Sequence, residues 1–511
     1  MAVKIVLLVV FFSAMVAVGV YSRKSTTSVD GFVLGGRSVG PWLTAFAYGT
    51  SYFSAVVFVG YAGQFGWKYG IASTWIGIGN AVIGSLLAWV VLGRRTRVMS
   101  QHLESRTMPD FFGSRYESNA LKIVASAISF IFLVPYTASV YNGLSRLFGM
   151  AFHIPYSVCV IVMALFTAVY VILGGYMATA INDFIQGIIM LFGIVAVIAA
   201  VLSGQGGFIE AVGKLAEIES DVAVTAGQPG AFASFFGPDP VNLLGVVVLT
   251  SLGTWGLPQM IQKFYAIKDE KAINTGTVIS TLFAVVVSGG CYFLGGFARL
   301  FDDASIHNQE TGAVIYDSII PFMLSKLPDI LVGIVVVLVL SASMSTLSSL
   351  VLTSSSTLTL DFLKGNIIKK MDEKKQVFTM QVLIVFFIVL SVVIALDPPT
   401  FIAQLMGISW GSLAGAFLAP FLYGLYWKGV TKTAVWASFV TGVGITLINM
   451  FVPFMSSPIN AGAFAMIAGL IVVPVVSLIS PKMDKENVDK MFACYEETVV
   501  IKKKHSLEDR K

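Results

Sequence analysis

Charge is what this 511-residue chain lacks most, with Asp, Glu, Lys and Arg together making up 12% of it. Soluble domains carry about twice that share, roughly 25%. At this density a water-soluble globule of such length could not cover its surface with polar side chains. Cysteine is scarce as well. Cys159, Cys291 and Cys494 form no CxxC or other paired spacing, which argues against a disulfide scaffold or a zinc site. The four histidines, His102, His153, His307 and His505, all fall in polar stretches between apolar runs, so none is paired for haem ligation inside a membrane. No GxxxxGK[ST] occurs, so ATP-driven pumping would need a partner chain, and no obligate protein partner is evident. The net charge of +5 reflects loop bias and not nucleic-acid binding.

What is present is apolar. Hydrophobic residues make up 56% of the chain, which excludes disorder and predicts an all-α polytopic membrane protein embedded in the lipid bilayer. About 20 apolar residues span the hydrocarbon core as a helix. By that measure thirteen transmembrane helices are expected, near 4–22, 41–63, 72–93, 121–149, 154–174, 182–203, 241–263, 275–299, 328–359, 377–396, 400–426, 432–452 and 460–480. Strands of a membrane barrel alternate over about ten residues, and these runs are continuous.

The basic residues sort by side. Arg23, Lys24 and Arg37 follow the first span, Arg94, Arg95, Arg97, Arg106, Arg115 and Lys122 the third, and Lys263, Lys268 and Lys271 the seventh. Five lysines between 364 and 375, then Lys428 and Lys432, then eight residues of the tail, bring 27 of the 33 Lys and Arg to one side. Positive residues stay inside, so a multi-pass protein of the cytoplasmic membrane is expected, N-terminus outside and C-terminus cytoplasmic. The first run could be a signal peptide, but Arg23-Lys24 on its far side favours an uncleaved anchor.

Two spans are interrupted in their middle: the second by Gly49, Thr50, Ser51 and Ser54, the seventh by Gly253, Thr254, Gly256 and Pro258. Unwound backbone at membrane depth survives where it lines a cavity, and a matched pair five spans apart is the mark of an inverted-repeat transporter. Small residues also let helices pack closely. In the ninth span Ser345, Ser348 and Ser349 stand at i, i+3 and i+4, on one helix face. Hydroxyls and carbonyls ligate a hard monovalent cation without burying a full charge; equally, such hydroxyls bond back to their own helix. Asp183, expected at the start of the sixth span, is either a helix-starting acid or a carboxylate facing a cation path.

Phe32-Val-Leu-Gly-Gly-Arg37-Ser38-Val-Gly40-Pro41, Gly174-Gly175-Tyr176 with Asp183 and Gln186, Met344-Ser345-Thr346-Leu347-Ser348 and Gly424-Leu-Tyr-Trp427-Lys428 resemble the sodium:solute symporter family, in particular its proline and pantothenate branch. The resemblance runs over essentially the whole chain. It implies a LeuT-like core of five-plus-five inverted repeats in a single transporter domain over 1–480. The repeats would cover 41–203 and 241–426, with an extra helix before (4–22), two after (432–480) and a cytoplasmic tail (481–511).

The resemblance also implies sodium as coupling ion and a small organic solute as substrate. A main sodium site would use carbonyls of Thr50, Phe53 and Ala342 with the hydroxyls of Ser345 and Thr346. A second site, found in some members, would use Asp183, Ser345, Ser348 and Ser349. The solute would meet Ser54, Tyr136, Thr254, Trp255 and Gln259. Two departures from the proline pattern stand out: Tyr52 replaces an aspartate, and Thr250 and Thr254 replace a Trp and a Tyr. A carboxylate-bearing solute such as pantothenate, proline or a monocarboxylate is expected, taken up by alternating access and not by an enzyme reaction. A proton-coupled or sodium-independent carrier and a transporter-fold sensor are the alternatives.

Overall fold

The structure, a computed structural model, describes residues 2–23, 27–364, 366–368, 370–455 and 457–500. Lys24, Lys369 and the end of the tail, with Lys502, Lys503 and Lys504, lie outside the described residues. The chain is 82% helical and, among the described residues, has no strand. In order the main helices are α1 (Ala2–Ser22), α2 (Pro41–Tyr52), α3 (Ala62–Tyr69), α4 (Arg94–His102), α5 (Asn119–Phe152), α6 (Tyr156–Gly204), α7 (Pro240–Leu252) and α8 (Pro258–Ala266). There follow α9 (Glu270–Gly295), α10 (Tyr316–Ser325), α11 (Asp329–Thr357), α12 (Glu373–Leu396), α13 (Ile402–Tyr426), α14 (Lys432–Phe451), α15 (Pro458–Ile479) and α16 (Lys485–Val500).

Among the described residues ten helices are long and apolar enough to cross a bilayer, eleven when the bent pair α7 and α8 is taken as one. Two of the ten are too long for a single crossing, 47 residues over Val56–His102 and 49 over Tyr156–Gly204. Each is interrupted at a glycine with positive φ, Gly70 at 59° and Gly175 at 52°. Dividing them there, and joining α2 to the stretch Val56–Tyr69, gives the expected thirteen.

The expected boundaries shift in two places that matter. The second limb of α6 begins just after Gly175, so Asp183 sits about two turns inside the helix, not at its start. The α8 helix continues to Ala266, so Lys263 is a helical, fully buried residue and not part of a basic loop.

The core follows from where small residues and hydroxyls lie. Residues 338–357 of α11 are buried without exception. Several of their hydroxyls bond within the helix, as Ser343 Oγ donates to the Val339 carbonyl at 2.6 Å, and small side chains admit neighbouring helices closely. Large apolar side chains such as Val10, Phe386, Val440 and Ile471 are exposed at the periphery, where hydrocarbon would surround them. The described part of the tail packs against the bundle: in α16 Phe492 and Tyr495 are buried. The Tyr495 hydroxyl donates to the Arg95 carbonyl at 3.2 Å, and the Arg95 guanidinium lies 4.5 Å from the Tyr495 ring centre.

Candidate functional site

Both interrupted spans break where glycine, hydroxyl and proline chemistry says they should. The α2 helix ends at Phe53, in extended conformation (φ −106°, ψ 100°), and Ser54 Oγ accepts from the Val56 amide at 3.1 Å to restart the chain. The α7 helix passes through a tight turn at Gly253–Trp255, Leu257 is extended, and Pro258 opens α8. Proline is tolerated there because its missing N–H is one that a first helical turn leaves unused. The bend across this break is 41°.

The break in α2 faces the hydroxyls of α11. Ser345 Oγ lies 3.0 Å from the Thr50 carbonyl oxygen and 3.1 Å from that of Ala342. Thr346 Oγ1 lies 3.2 Å from Thr50 O, 3.1 Å from Ala342 O and 3.4 Å from Ser51 O. Two hydroxyl protons therefore face three carbonyl oxygens, and each proton can serve one acceptor well. The cluster is rich in lone pairs and poor in protons. Around a hard cation, oxygens about 2.4 Å from the ion and at right angles to one another stand about 3.4 Å apart, close to the spacing found. Four of the five residues expected to hold the main sodium thus come together. Phe53 stands at the break itself, and among the described contacts Ser51, not Phe53, offers the further carbonyl.

The second expected set is arranged differently. Asp183 and Ser349 meet through Lys263, whose Nζ donates to Ser349 Oγ at 2.9 Å and lies 3.8 Å from Asp183 Oδ2. The ammonium also lies over the Tyr176 ring, 5.1 Å from its centre. Ser349 Oγ is 2.7 Å from Ser51 Oγ, so the ion pair is linked by two hydrogen bonds to the broken stretch of α2. Ser348 Oγ donates to the Ser345 carbonyl at 2.9 Å and Ser345 Oγ belongs to the first cluster.

Of the residues expected to meet the solute, Tyr136 and Gln259 are fully buried with their polar atoms unpaired. Ser54 and the Trp410 indole face the Tyr136 hydroxyl without closing a hydrogen bond. Thr254 and Trp255 are committed elsewhere: Thr254 Oγ1 donates to Gly84 O at 3.1 Å and Trp255 Nε1 to Ile83 O at 3.0 Å. They brace the second break against the neighbouring span. Tyr52 crosses from one break to the other, its hydroxyl donating to the Thr250 carbonyl. Its ring packs 5.9 Å from Trp410, which meets Tyr136 edge-on at 5.8 Å. Tyr61 and Tyr292 lie in the neighbourhood of Tyr52, and with Tyr136 and Trp410 they form an aromatic group, here called the cage, in which the Tyr61 and Tyr292 hydroxyls and the Trp410 N–H are unpaired.

Sequence reasoning missed Lys263, Trp410, Tyr61 and Tyr292. For Lys263 a signal existed, since Gln259 and Lys263 stand at i and i+4 after the proline and share one helix face. The aromatics carried none, because cage and packing aromatics look alike in sequence.

Comparisons with known proteins bear on the family and the fold. The sequence profile described as the sodium:solute symporter family matches residues 32–442. A sodium/proline symporter of Staphylococcus aureus (strain NCTC 8325 / PS 47) is 30% identical over 498 residues, covering 94% of this chain and 93% of the relative. A Na+-coupled sialic acid symporter in a substrate-bound outward-open state superposes with a TM-score of 0.75 at 15% identity, over 94% of this chain and 98% of that one. A nucleobase-cation-symport-1 family transporter in a closed conformation gives 0.50 at 13% identity, over 91% and 98%. The fold is thus LeuT-like, and the chain belongs to the sodium:solute symporter family, multi-pass membrane proteins that couple sodium to the symport of a small organic solute.

Proposed function

We propose that sodium binds where α2 breaks against α11, on oxygens of Thr50, Phe53, Ala342, Ser345 and Thr346. Its bound form completes a pocket for a solute that carries a carboxylate and no amine. The observation that carries the sodium assignment is the proton deficit of the Thr50–Ala342–Ser345–Thr346 cluster, which a cation satisfies. Sodium straightens the break, the solute closes the pocket, and rocking of the broken-helix bundle against the scaffold opens the other side. Asp183 with Ser349 is a cation position as well.

The solute class follows from the cage. Tyr61, Tyr136, Tyr292 and Trp410 offer unpaired donors, and an indole N–H can only donate, which suits a carboxylate. The cage residues are uncharged, so an amine would have no anionic partner there. Tyr52, which stands in place of the aspartate in the proline pattern, spends its hydroxyl on Thr250. Pantothenate or a short monocarboxylate therefore ranks ahead of proline, the solute named for the Staphylococcus aureus relative.

The protein sits in the cytoplasmic membrane with its N-terminus outside and C-terminus cytoplasmic. The basic residues support this, since Arg95, Arg115, Lys428 and Lys432 gather at one end with α16 and the start of α5. The repeats run over 41–203 and 241–426 of a transporter domain ending near 480.

A tenfold sodium gradient supplies about 1.4 kcal/mol; the roughly 2.3 kcal/mol that a net charge gains across about 100 mV does not add when one sodium moves with a monoanion. Uptake into proteoliposomes tests the reading: it is expected to stop when potassium replaces sodium, and undiminished uptake would overturn it. A thermal-shift screen in sodium over pantothenate, short monocarboxylates, sugars and proline tests the solute class. Stabilisation by proline alone would reject the assignment.

A further inference from the structure

Two of the four residues that the family resemblance assigns to a second sodium, Asp183 and Ser349, already face a cation in this chain. That cation is the ammonium of Lys263, 2.9 Å from Ser349 Oγ and 3.8 Å from Asp183 Oδ2. We propose that Lys263 is a tethered substitute for a second coupling ion, so that this transporter binds one sodium where a two-sodium relative binds two. The inference rests on the main sodium site placed above.

Three observations lead to it. First, neither oxygen of Asp183 accepts a hydrogen bond, and the carboxylate is fully buried. A buried carboxylate without hydrogen bonds persists only beside a compensating cation. The titratable groups that face it are Lys263 from α8 and the phenols of Tyr170 and Tyr176 from its own element. Lys263 alone among them brings positive charge. Second, the ammonium is held as a bound ion would be, by a hydroxyl of α11, a carboxylate of α6 and the face of the Tyr176 ring. A sodium entering beside it would meet a like charge at contact distance in a medium that screens poorly. Third, the remaining hydroxyls of the second set point elsewhere, Ser345 into the main cluster and Ser348 onto the Ser345 carbonyl.

The tether changes what the site can do. Lys263 belongs to α8, five residues after Pro258, so its charge moves with the second broken helix and never leaves the protein. Through Ser349 and Ser51 it reaches the backbone beside the main cluster. It thus supplies the structural effect of a second ion, drawing α8, α6 and α11 together, without drawing on the sodium gradient. For a monoanionic solute, one sodium makes transport electroneutral.

The test needs only sodium as probe. Equilibrium binding of radioactive sodium to the purified full-length wild type is expected to give one ion per protein. Lys263→Met uncovers Asp183 and is expected to bind two, with the Hill coefficient of sodium-induced stabilisation rising from about 1 toward 2. Adding Asp183→Asn to that variant returns the count to one. Two ions on the wild type, or one ion on a folded Lys263→Met protein, would overturn the proposal. Should Lys263→Met fail to fold, Asp183→Asn in the wild-type background decides: an unchanged count of one supports the tethered cation, and a fall from two to one refutes it. No sodium on the wild type at all is a different failure, that of the main site itself.

Discussion

Replacing Thr346 by valine removes one oxygen from the main cluster and keeps the β-branched shape. In the structure Thr346 Oγ1 makes three of the five close oxygen contacts, to Thr50, Ser51 and Ala342. Thr346 is fully buried, so water has no ready path to replace the lost oxygen. A neutral dipole that bonds a charged group contributes about 1.5–3 kcal/mol, and each 1.4 kcal/mol is about tenfold in affinity. Sodium is therefore expected to bind about 10- to 150-fold more weakly in Thr346→Val. The assay is the melting temperature of purified protein titrated with sodium chloride against potassium chloride at constant ionic strength, since binding stabilises the folded state by mass action. Ser343→Ala serves as the comparison. Its hydroxyl bonds the Val339 carbonyl of its own helix at 2.6 Å, and the sodium midpoint is expected to shift by no more than about twofold, as befits a bond within one turn. A Thr346→Val protein that melts with the wild-type sodium dependence would refute the assignment of the cluster.

Asp183→Asn leaves the Lys263 ammonium buried without its counter-charge, which in other buried pairs costs about 3–5 kcal/mol. A lowered melting temperature is expected, largely restored in the double variant with Lys263→Met; equal stability of single variant and wild type would contradict the ion pair. Outside the spans, burial raises the Asp317 carboxyl from an ordinary 3.8 to about 6, against the lowering pull of the Ile402 amide and Arg146. The native state then holds that proton more tightly than the unfolded chain. Stability falls as pH rises from about 4 to 6 and levels off above, with a total loss of about 3 kcal/mol. Asp317→Asn removes that slope from a melting curve measured across the interval, and an unchanged slope would exclude Asp317 as its source. Gly175→Ala meets a backbone at φ 52°, ψ −149°, open essentially to glycine alone, and brings a Cβ to 2.9 Å from the Phe32 carbonyl oxygen. A loss of about 1–3 kcal/mol is expected and would show as a lowered melting temperature; a neutral substitution would mean the turn between the two limbs of α6 can relax.

Much of the fold was legible because membranes constrain sequence severely. Continuous apolar runs of about 20 residues have one use in a bilayer, and the two interrupted runs stood out against that background. Part of the main cluster was legible for a related reason: hydroxyls at Ser345, Ser348 and Ser349 on one helix face are costly in lipid unless used, while Thr50, Ala342 and Thr346 entered only through the family resemblance. Legibility ended where one side chain can serve two purposes. Tyr136 as a packed aromatic and Tyr136 as a pocket wall are the same letter, and Thr254 and Trp255 proved to brace the break through the carbonyls of Gly84 and Ile83. Lys263 was misplaced because a lysine near the end of an apolar run ordinarily lies at the interface.

By its composition and order alone, the sequence determined a polytopic helical bundle, its two broken helices, and a face of hydroxyls on the ninth span. These are one-dimensional properties, set by run length, by glycine and proline, and by hydroxyl content. Only the tertiary structure decided which charges meet. Asp183 and Lys263 are 80 positions apart in sequence and come to 3.8 Å because α8 bends at Pro258 and carries its last turns back into the bundle. Coulomb energy depends on distance and on the medium between two charges, and a sequence specifies neither until the helices are packed.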